Sequence, residues 1–440
     1  MTFNELKAGA ATVDITPRKS LFLHGYPFVE RESTGTHDPL LSSALFLSNG
    51  KEQVLFISND IIYVDKKMVS RVRGTISNKK GIPASNILIA ATHTHSGPVT
   101  VDLVISRNDP VVPKADKEYL NYMEARIVEA ACQAIDSAVP AEIAFITADA
   151  TGVGTNRHDP AGPKDMELPV LIARNKNKEY IGAMLVCTMH PTIMHEDSTL
   201  FSSDFPFYIR QGVQEFLGES CTVVYYTGAA GNQSPRHVTK SNTFEEAKRI
   251  GGIVAGSIRS TFEKKASFGS NCSLEVARTF TDLPRRELPS VEVAEANRNR
   301  IKERFENLKK EQPMSKETRT AEVNWFGAEE LLFLVKQACE NTLQDAYNSS
   351  LPAEIQAVKI GKRAFVAWPG EVFVEYGLEL KKRFNNISLI TYANGELEGY
   401  VVTKEAHEKG FYEAGNSLFH YSSGEVLVNK TTELLKELKQ

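Results

Sequence analysis

The chain has 440 residues, 42% hydrophobic and 24% charged, enough for one large domain or two to three ordinary ones with a sizeable core. A net charge of −4 removes the electrostatic case for nucleic acid or an anionic membrane as partner. Five cysteines, an odd number and far apart, argue against a disulfide framework and against a zinc knuckle.

Residues 1–20 mix charged and β-type residues without an apolar core segment. No stretch approaches the roughly 18–20 apolar residues that a membrane helix needs. A cytoplasmic protein without integral membrane association is the expectation. Cys132, Cys187 and Cys339 lie among apolar residues and read as small core side chains in a reducing compartment.

In chain order, 54–57 and 61–64 are apolar, β-branched runs around the polar Ser58-Asn59-Asp60. Residues 86–91 read as a short buried strand. Leu120, Met123, Ile127, Ala130, Ala131 and Ile135 recur at helical spacing and predict an amphipathic helix over 117–138. Strands follow at 141–147, 170–173, 181–187 and 222–227, with helices over about 204–217 and 243–263. Residues from about 290 to 344 differ in texture and read as a helical insertion. Its first part, 292–311, is highly charged, and 328–344 has an apolar face, so a solvated hairpin is expected. Strands resume at 355–360 and 364–367, and helices are expected over 371–383 and about 431–438. Strands interleaved with helices predict an α/β fold of mixed sheets with flanking helices, forming one domain over 1–440.

Chemistry-bearing residues cluster where these strands end. Thr92-His93-Thr94-His95-Ser96-Gly97-Pro98 follows the 86–91 run directly. Strand exits are the usual site position in α/β folds. Two histidines at i and i+2 share one side of an extended chain, so one can bind a metal while the other faces a substrate. Met189-His190-Pro191-Thr192, with His195 beyond, repeats the design after 181–187. Neutral imidazole suits zinc. Each histidine also has an ordinary explanation, as a surface or a core side chain. Glu371 follows Trp368-Pro369-Gly370 and reads either as a metal ligand or as a first-turn acid that opens a helix. Gly228-Ala229-Ala230-Gly231-Asn232-Gln233-Ser234-Pro235 lets backbone approach a substrate closely. It matches neither a P-loop nor a GxSxG elbow. Asn156-Arg157-His158 offers a cation to a developing oxyanion.

Together with Asp14-Ile15-Thr16-Pro17, Gly35-Thr36-His37-Asp38-Pro39-Leu40, Tyr400-Val401-Val402-Thr403 and Tyr412-Glu413-Ala414, these motifs run in order along nearly the whole chain. The set resembles the catalytic domain of the neutral, non-lysosomal ceramidases. The resemblance implies one zinc ion per chain held by His93, His190, Glu371 and Tyr400. It implies that His95, Arg157 and Tyr412 stand beside the metal and act on substrate. Ser234 matches the serine once cast as the family's nucleophile, and with zinc present it is expected to contact substrate instead. It implies hydrolysis of an N-acyl amide by a zinc-activated water. The expectation is a catalytic domain without the family's immunoglobulin-like C-terminal domain, and no exposed apolar segment suited to extracting lipid is evident in the sequence. Arg236 and His237 add polarity near the site. The substrate expected is therefore a polar, acylated small molecule. An esterase or deacylase of acylated small molecules or sugars, a serine hydrolase using Ser234, a metallophosphoesterase, and a non-catalytic metal-containing binding protein are the competing readings.

Overall fold

The computed structural model describes residues 5–313 and 315–438. The first four positions of the stretch searched for an export signal lie outside them. The fold is mixed α/β, as expected.

The main sheet has eight strands in the spatial order Thr222–Thr227, Tyr180–Cys187, Glu167–Asn175, Val139–Asp149, Lys7–Asp14, Leu41–Ser48, Gln53–Asn59, Ile87–Ala91. The outermost pair at each end is parallel and the pairs between are antiparallel. The strands read as continuous apolar runs because both faces are covered. On Gln53–Asn59, Val54 and Phe56 point to an inner core, while Leu55 and Ile57 point to an outer one. Helices α1 (Lys66–Lys80) and α2 (Lys117–Asp136) cover the outer face of one half. Helices α3 (Phe205–Leu217) and α4 (Phe244–Lys265) cover the other. Asp65, Asp116, Asp204 and Thr243 cap their N-termini through side-chain oxygens, which satisfies otherwise orphaned N–H groups.

A second sheet, ordered Leu274–Thr281, Ala353–Ile360, Arg363–Ala367, Ile387–Ile390, fills the inner face of the first. Between its first two strands the chain makes α5 (Val291–Glu311), α6 (Lys316–Cys339) and α7 (Gln344–Ser350). Then α8 (Val374–Arg383), α9 (Lys404–Lys409), α10 (Tyr412–Asn416) and α11 (Ser423–Glu437) complete the chain.

The curl of the main sheet positions the site. Its two edges meet, with Ser58 Oγ donating to Tyr225 O and Thr227 Oγ1 donating to Thr92 O at 2.7 Å. The exit of Ile387–Ile390 bridges the seam, Thr391 N to Thr227 O at 3.0 Å and Ala91 N to Tyr392 O at 3.0 Å. The loops that follow Ile87–Ala91 and Tyr180–Cys187 therefore share one rim although they are far apart in the sheet order.

Several sequence expectations change. Residues 61–64 form no strand but a turn into α1, where Asp65 caps the helix. Glu371 does not open a helix. Glu371–Val372 is a short strand paired in parallel with Tyr400–Val401, and α8 begins three residues after Glu371. The last helix starts at Ser423 rather than near 431. Cys339 is exposed, whereas Cys187 and Cys221 are buried. The insertion is only half solvated. Among the described residues of α5 just Ala294 and Phe305 are buried. In α6, Phe326, Ala328, Leu331, Leu332, Leu334 and Val335 are buried. Each large apolar side chain taken from water there contributes about 1.5–3 kcal/mol. Leu331, Leu332 and Val335 pack with Ala294 of α5, whereas Leu334 joins the core below and Phe326 packs on Phe28 at the rim.

Candidate metal centre

His93 follows the Ile87–Ala91 strand with φ +66°, in the left-handed region. The chain there is therefore not extended. This kink, rather than alternation along a strand, turns His93 and His95 toward each other, with ring planes 88° apart. Side chains held in such conformations cost energy and concentrate at functional sites. Tyr392 stacks on His93 at 3.9 Å and fixes its ring.

Three imidazole nitrogens converge. His93 Nε2 lies 2.9 Å from His190 Nε2, and His95 Nε2 lies 3.2 Å from each of them. Two zinc–nitrogen bonds of about 2.0–2.1 Å at a tetrahedral angle would set the nitrogens about 3.3 Å apart. His93 Nδ1 donates to Ile62 O at 2.9 Å and His190 Nδ1 donates to Ala230 O at 3.1 Å. Such carbonyl partners fix the tautomer that leaves Nε2 free for a metal. Burial pushes the His190 imidazole down to about 3, so this ring is neutral.

Glu371 completes the cluster. Its Oε2 lies 3.5 Å from His93 Nε2 and 3.8 Å from His190 Nε2, is buried, and has no hydrogen-bond partner. Its Oε1 accepts from Tyr63 Oη at 2.5 Å. Burial alone would raise the Glu371 carboxyl. The His93 and His190 rings and the Tyr63 hydroxyl outweigh it and hold the carboxyl at about 2. An orphaned buried carboxylate oxygen beside two tautomer-fixed imidazoles fits a divalent cation.

Tyr400 pairs with Glu371 in backbone register and hydrogen-bonds Arg157 through its side chain. Burial raises its phenol well above the usual tyrosine range, so its oxygen becomes a tyrosinate only beside a strong positive charge. Tyr412 lies next to Tyr400, ring centroids 6.2 Å apart. Arg157 is tied through Nε to Glu413 Oε1 at 2.6 Å, and His158 Nε2 meets the same oxygen at 3.0 Å. Burial opposes the Arg157 charge, but Glu413, Tyr400 and Glu371 together outweigh it and raise the pKa.

The glycine loop serves the frame. Gly231 N donates to Val372 O at 2.8 Å, and a Cβ on Gly231 would lie 2.9 Å from that oxygen. The close approach is thus to the Glu371 segment. Gln233 O accepts from His190 N, Asn232 O from Arg157 N, and Asn232 Oδ1 from Val374 N at the start of α8. Ser234 Oγ accepts from Arg236 N at 3.4 Å.

Two cavities meet at this centre. The outer one, about 660 Å³, is lined by His95, Arg157, His190, Ser234, Arg236 and residues of α6 including Phe326. The inner one, about 90 Å³, is lined by Glu371, Tyr63, Glu330 and Asn416 among others. Tyr26, His95, Tyr400 and Tyr412 line both.

The structure therefore brings His93, His95, His190 and Glu371 together around one point, with Tyr400, Arg157 and Tyr412 on the surrounding walls. Ser234 stands on the outer wall. Sequence reasoning missed Tyr63, Tyr392, Glu413 and Glu330. The first two follow strand exits, the signal that found the histidines, and Glu413 sits inside a motif quoted for its neighbour. Nothing in the spacing of α6 marks Glu330.

A curled α/β sheet with a buried histidine–carboxylate cluster at the strand exits defines a protein built around a metal-competent centre. Residues 6–222 match the family model of the neutral/alkaline non-lysosomal ceramidase, N-terminal, and the chain belongs to that family. Membership places it among hydrolases of amide bonds. The neutral ceramidase from Pseudomonas aeruginosa has a similar fold, with a TM-score of 0.76 at 17% identity over 98% of this chain and 74% of that one. A ceramidase complexed with C2 gives 0.78 at 16% identity over 99% and 75%. At such identities the likeness is one of fold.

Proposed function

We propose that the chain is a zinc-dependent hydrolase that cleaves the N-acyl amide bond of a polar small molecule. The observation that carries this reading is the convergence of His93 Nε2, His190 Nε2 and the unpartnered Glu371 Oε2 at the junction of two cavities.

His93, His190, Glu371 and Tyr400 would hold the ion. Bound there, zinc supplies a nucleophile at neutral pH by lowering the pKa of a water and polarises the substrate carbonyl. His95 is the proton carrier. Unlike the other two rings its Nδ1 has no hydrogen-bond partner, so neither tautomer is locked. Arg157, oriented by Glu413, and Tyr412 face the cavity where oxyanion charge develops. Tyr412 is a phenol, held protonated by burial, and so has a proton to donate. Ser234 positions substrate.

The outer cavity supports a polar substrate with an apolar part. Arg157, Arg236, Arg319 and Lys409 contribute cations to its lining, and Val29, Val323, Phe326 and Phe411 contribute apolar surface. Among the described residues the exposed large apolar side chains are Val139, Phe280 and Val293, on three different elements. No described helix is long and apolar enough to cross a membrane.

The test pairs metal analysis of the purified protein with hydrolysis of N-acyl sphingosines, N-acyl amino acids and acylated sugars. Stoichiometric zinc and chelator-sensitive cleavage of N-acyl amino acids are expected. Full turnover by chelated, metal-free protein, together with fluorophosphonate labelling of Ser234, would overturn the reading.

A further inference from the structure

We propose that the inner cavity is a recognition pocket for a primary ammonium group carried at one end of the substrate. For its catalytic readout the inference rests on the amide-hydrolase reading.

The pocket is built from carboxylates and aromatic rings. Asp109 and Glu330 line it beside Glu371, together with Tyr26, Phe28 and Tyr63, and no lysine or arginine is among its lining residues. Asp109 is anchored by the Phe28 N–H at 2.5 Å and the Val111 N–H at 3.0 Å. Glu330 comes down from α6, is 8% exposed, and has an Oε2 without any hydrogen-bond partner. Asn416 hydrogen-bonds Glu330 through its side chain, yet its own Oδ1 is also buried and unpartnered. His24 adds a third such atom, Nδ1, on the same wall. Leaving a buried acceptor unpaired costs about 1–3 kcal/mol, more for a charged one. The Glu330 and Asn416 oxygens thus await hydrogen-bond donors, and no lysine or arginine lines the pocket beside Asp109 and Glu330. Burial pushes the Glu330 carboxyl up to about 8, so without a cation beside it the group is largely the neutral acid near pH 7, and a cation there would draw it into the charged form.

An ammonium group answers every part of this lining. It offers three N–H donors and a positive charge, and the rings give it aromatic faces. The volume, about 90 Å³, suits an aminomethyl or aminoethyl group and no long acyl chain. The location gives the pocket a role in specificity. Glu371 borders the inner cavity and His190 the outer one, so an amide bond held at the centre has one flank in each. The substrate then presents its ammonium end inward and its bulkier end to the cationic and apolar walls outside. This division favours amides of amino-bearing small molecules over two-chain lipids.

The experiment uses two matched pairs, N-glycyl against N-propionyl aniline, and N-acetylethylenediamine against N-acetylpropylamine. They cover either orientation of the amide. In one pair the ammonium compound should have at least tenfold higher kcat/KM, and Glu330→Gln or Asn416→Leu should bring the ratio close to one. Calorimetric titration with ethylammonium chloride against ethanol provides a readout independent of catalysis. Wild-type protein should bind ethylammonium and Glu330→Gln at least tenfold more weakly. Such binding without cleavage of any amide would support the pocket while sinking the hydrolase reading. Equal rates within both pairs and no ethylammonium binding overturn the proposal. So does a preference that survives in both variants.

Discussion

His93 Nε2 and His190 Nε2 face each other at 2.9 Å while each ring gives its Nδ1 proton to a backbone carbonyl. In their neutral forms the two rings turn lone pairs at one another, and Glu371 Oε2 adds a third acceptor within 3.8 Å. A positive charge between them relieves the repulsion, and a single proton cannot serve all three. His93→Ala removes one member and leaves Tyr392 at the seam without its stacking partner. Metal content should fall below stoichiometric, and turnover should drop by more than about 100-fold, beyond the 10–100-fold typical for an outer partner. Elemental analysis and kinetics on the same preparation check it. A variant with full zinc and full activity removes His93 from the site.

Tyr63 makes the hydrogen bond that orients Glu371, Oη to Oε1 at 2.5 Å. Tyr63→Phe keeps the ring against His93 and deletes that bond. Metal affinity should weaken about 10–100-fold, as is usual when a partner behind a ligand is lost. Competition with a chromophoric chelator measures it. Unchanged affinity would mean that Glu371 needs no such support.

Gly25 has φ +121°, and a Cβ there would lie 2.5 Å from His95 Nδ1. Gly25→Ala therefore pushes on His95, the proposed proton carrier, while the nearest atoms its Cβ meets all belong to that residue. Backbone strain of about 1–3 kcal/mol adds to the clash. The expected pattern is retained zinc with kcat lowered at least about tenfold. Loss of zinc with an intact kcat per bound metal would instead assign His95 to the ligand set.

The residues that lie at strand exits were legible in the sequence because an apolar run followed by polar side chains marks a rim. His93, His190 and the Asn232-Gln233-Ser234 loop were found this way. Their meeting was not legible, because it depends on the closure of the sheet through Ser58, Thr92 and Thr227, ordinary residues in one dimension. The pairing of His93 with His95 was foreseen for the wrong reason, since a positive φ rather than strand alternation produces it. The insertion reads as solvated because α5 is; the apolar face of 328–344 is visible in the sequence, but not that α6 lays it against α5 and the core and so stands over the site. Glu330 was invisible for the same reason. One buried acid in a charge-rich helix has no sequence signature.

Glu413 holds both Arg157 and His158, and only 1% of its side chain is exposed. Glu413→Gln leaves the Arg157 charge buried without its partner, a change that should destabilise the fold by about 3 kcal/mol near neutral pH. The dependence on pH follows from the carboxyl itself. Burial would raise its pKa, but Arg157 and then His158 outweigh burial and hold it at about 2, below the ordinary 4.5. A depressed carboxyl stabilises the folded state fully above the unfolded value and loses that contribution as pH falls through the folded one. The stability gap between wild type and Glu413→Gln should thus be constant above pH 4.5 and shrink steadily as pH falls toward about 2. Denaturant unfolding of both metal-free proteins across that range measures the gap. A gap that is absent at pH 7, or that does not change on acidification, would show that Arg157 draws its compensation from elsewhere.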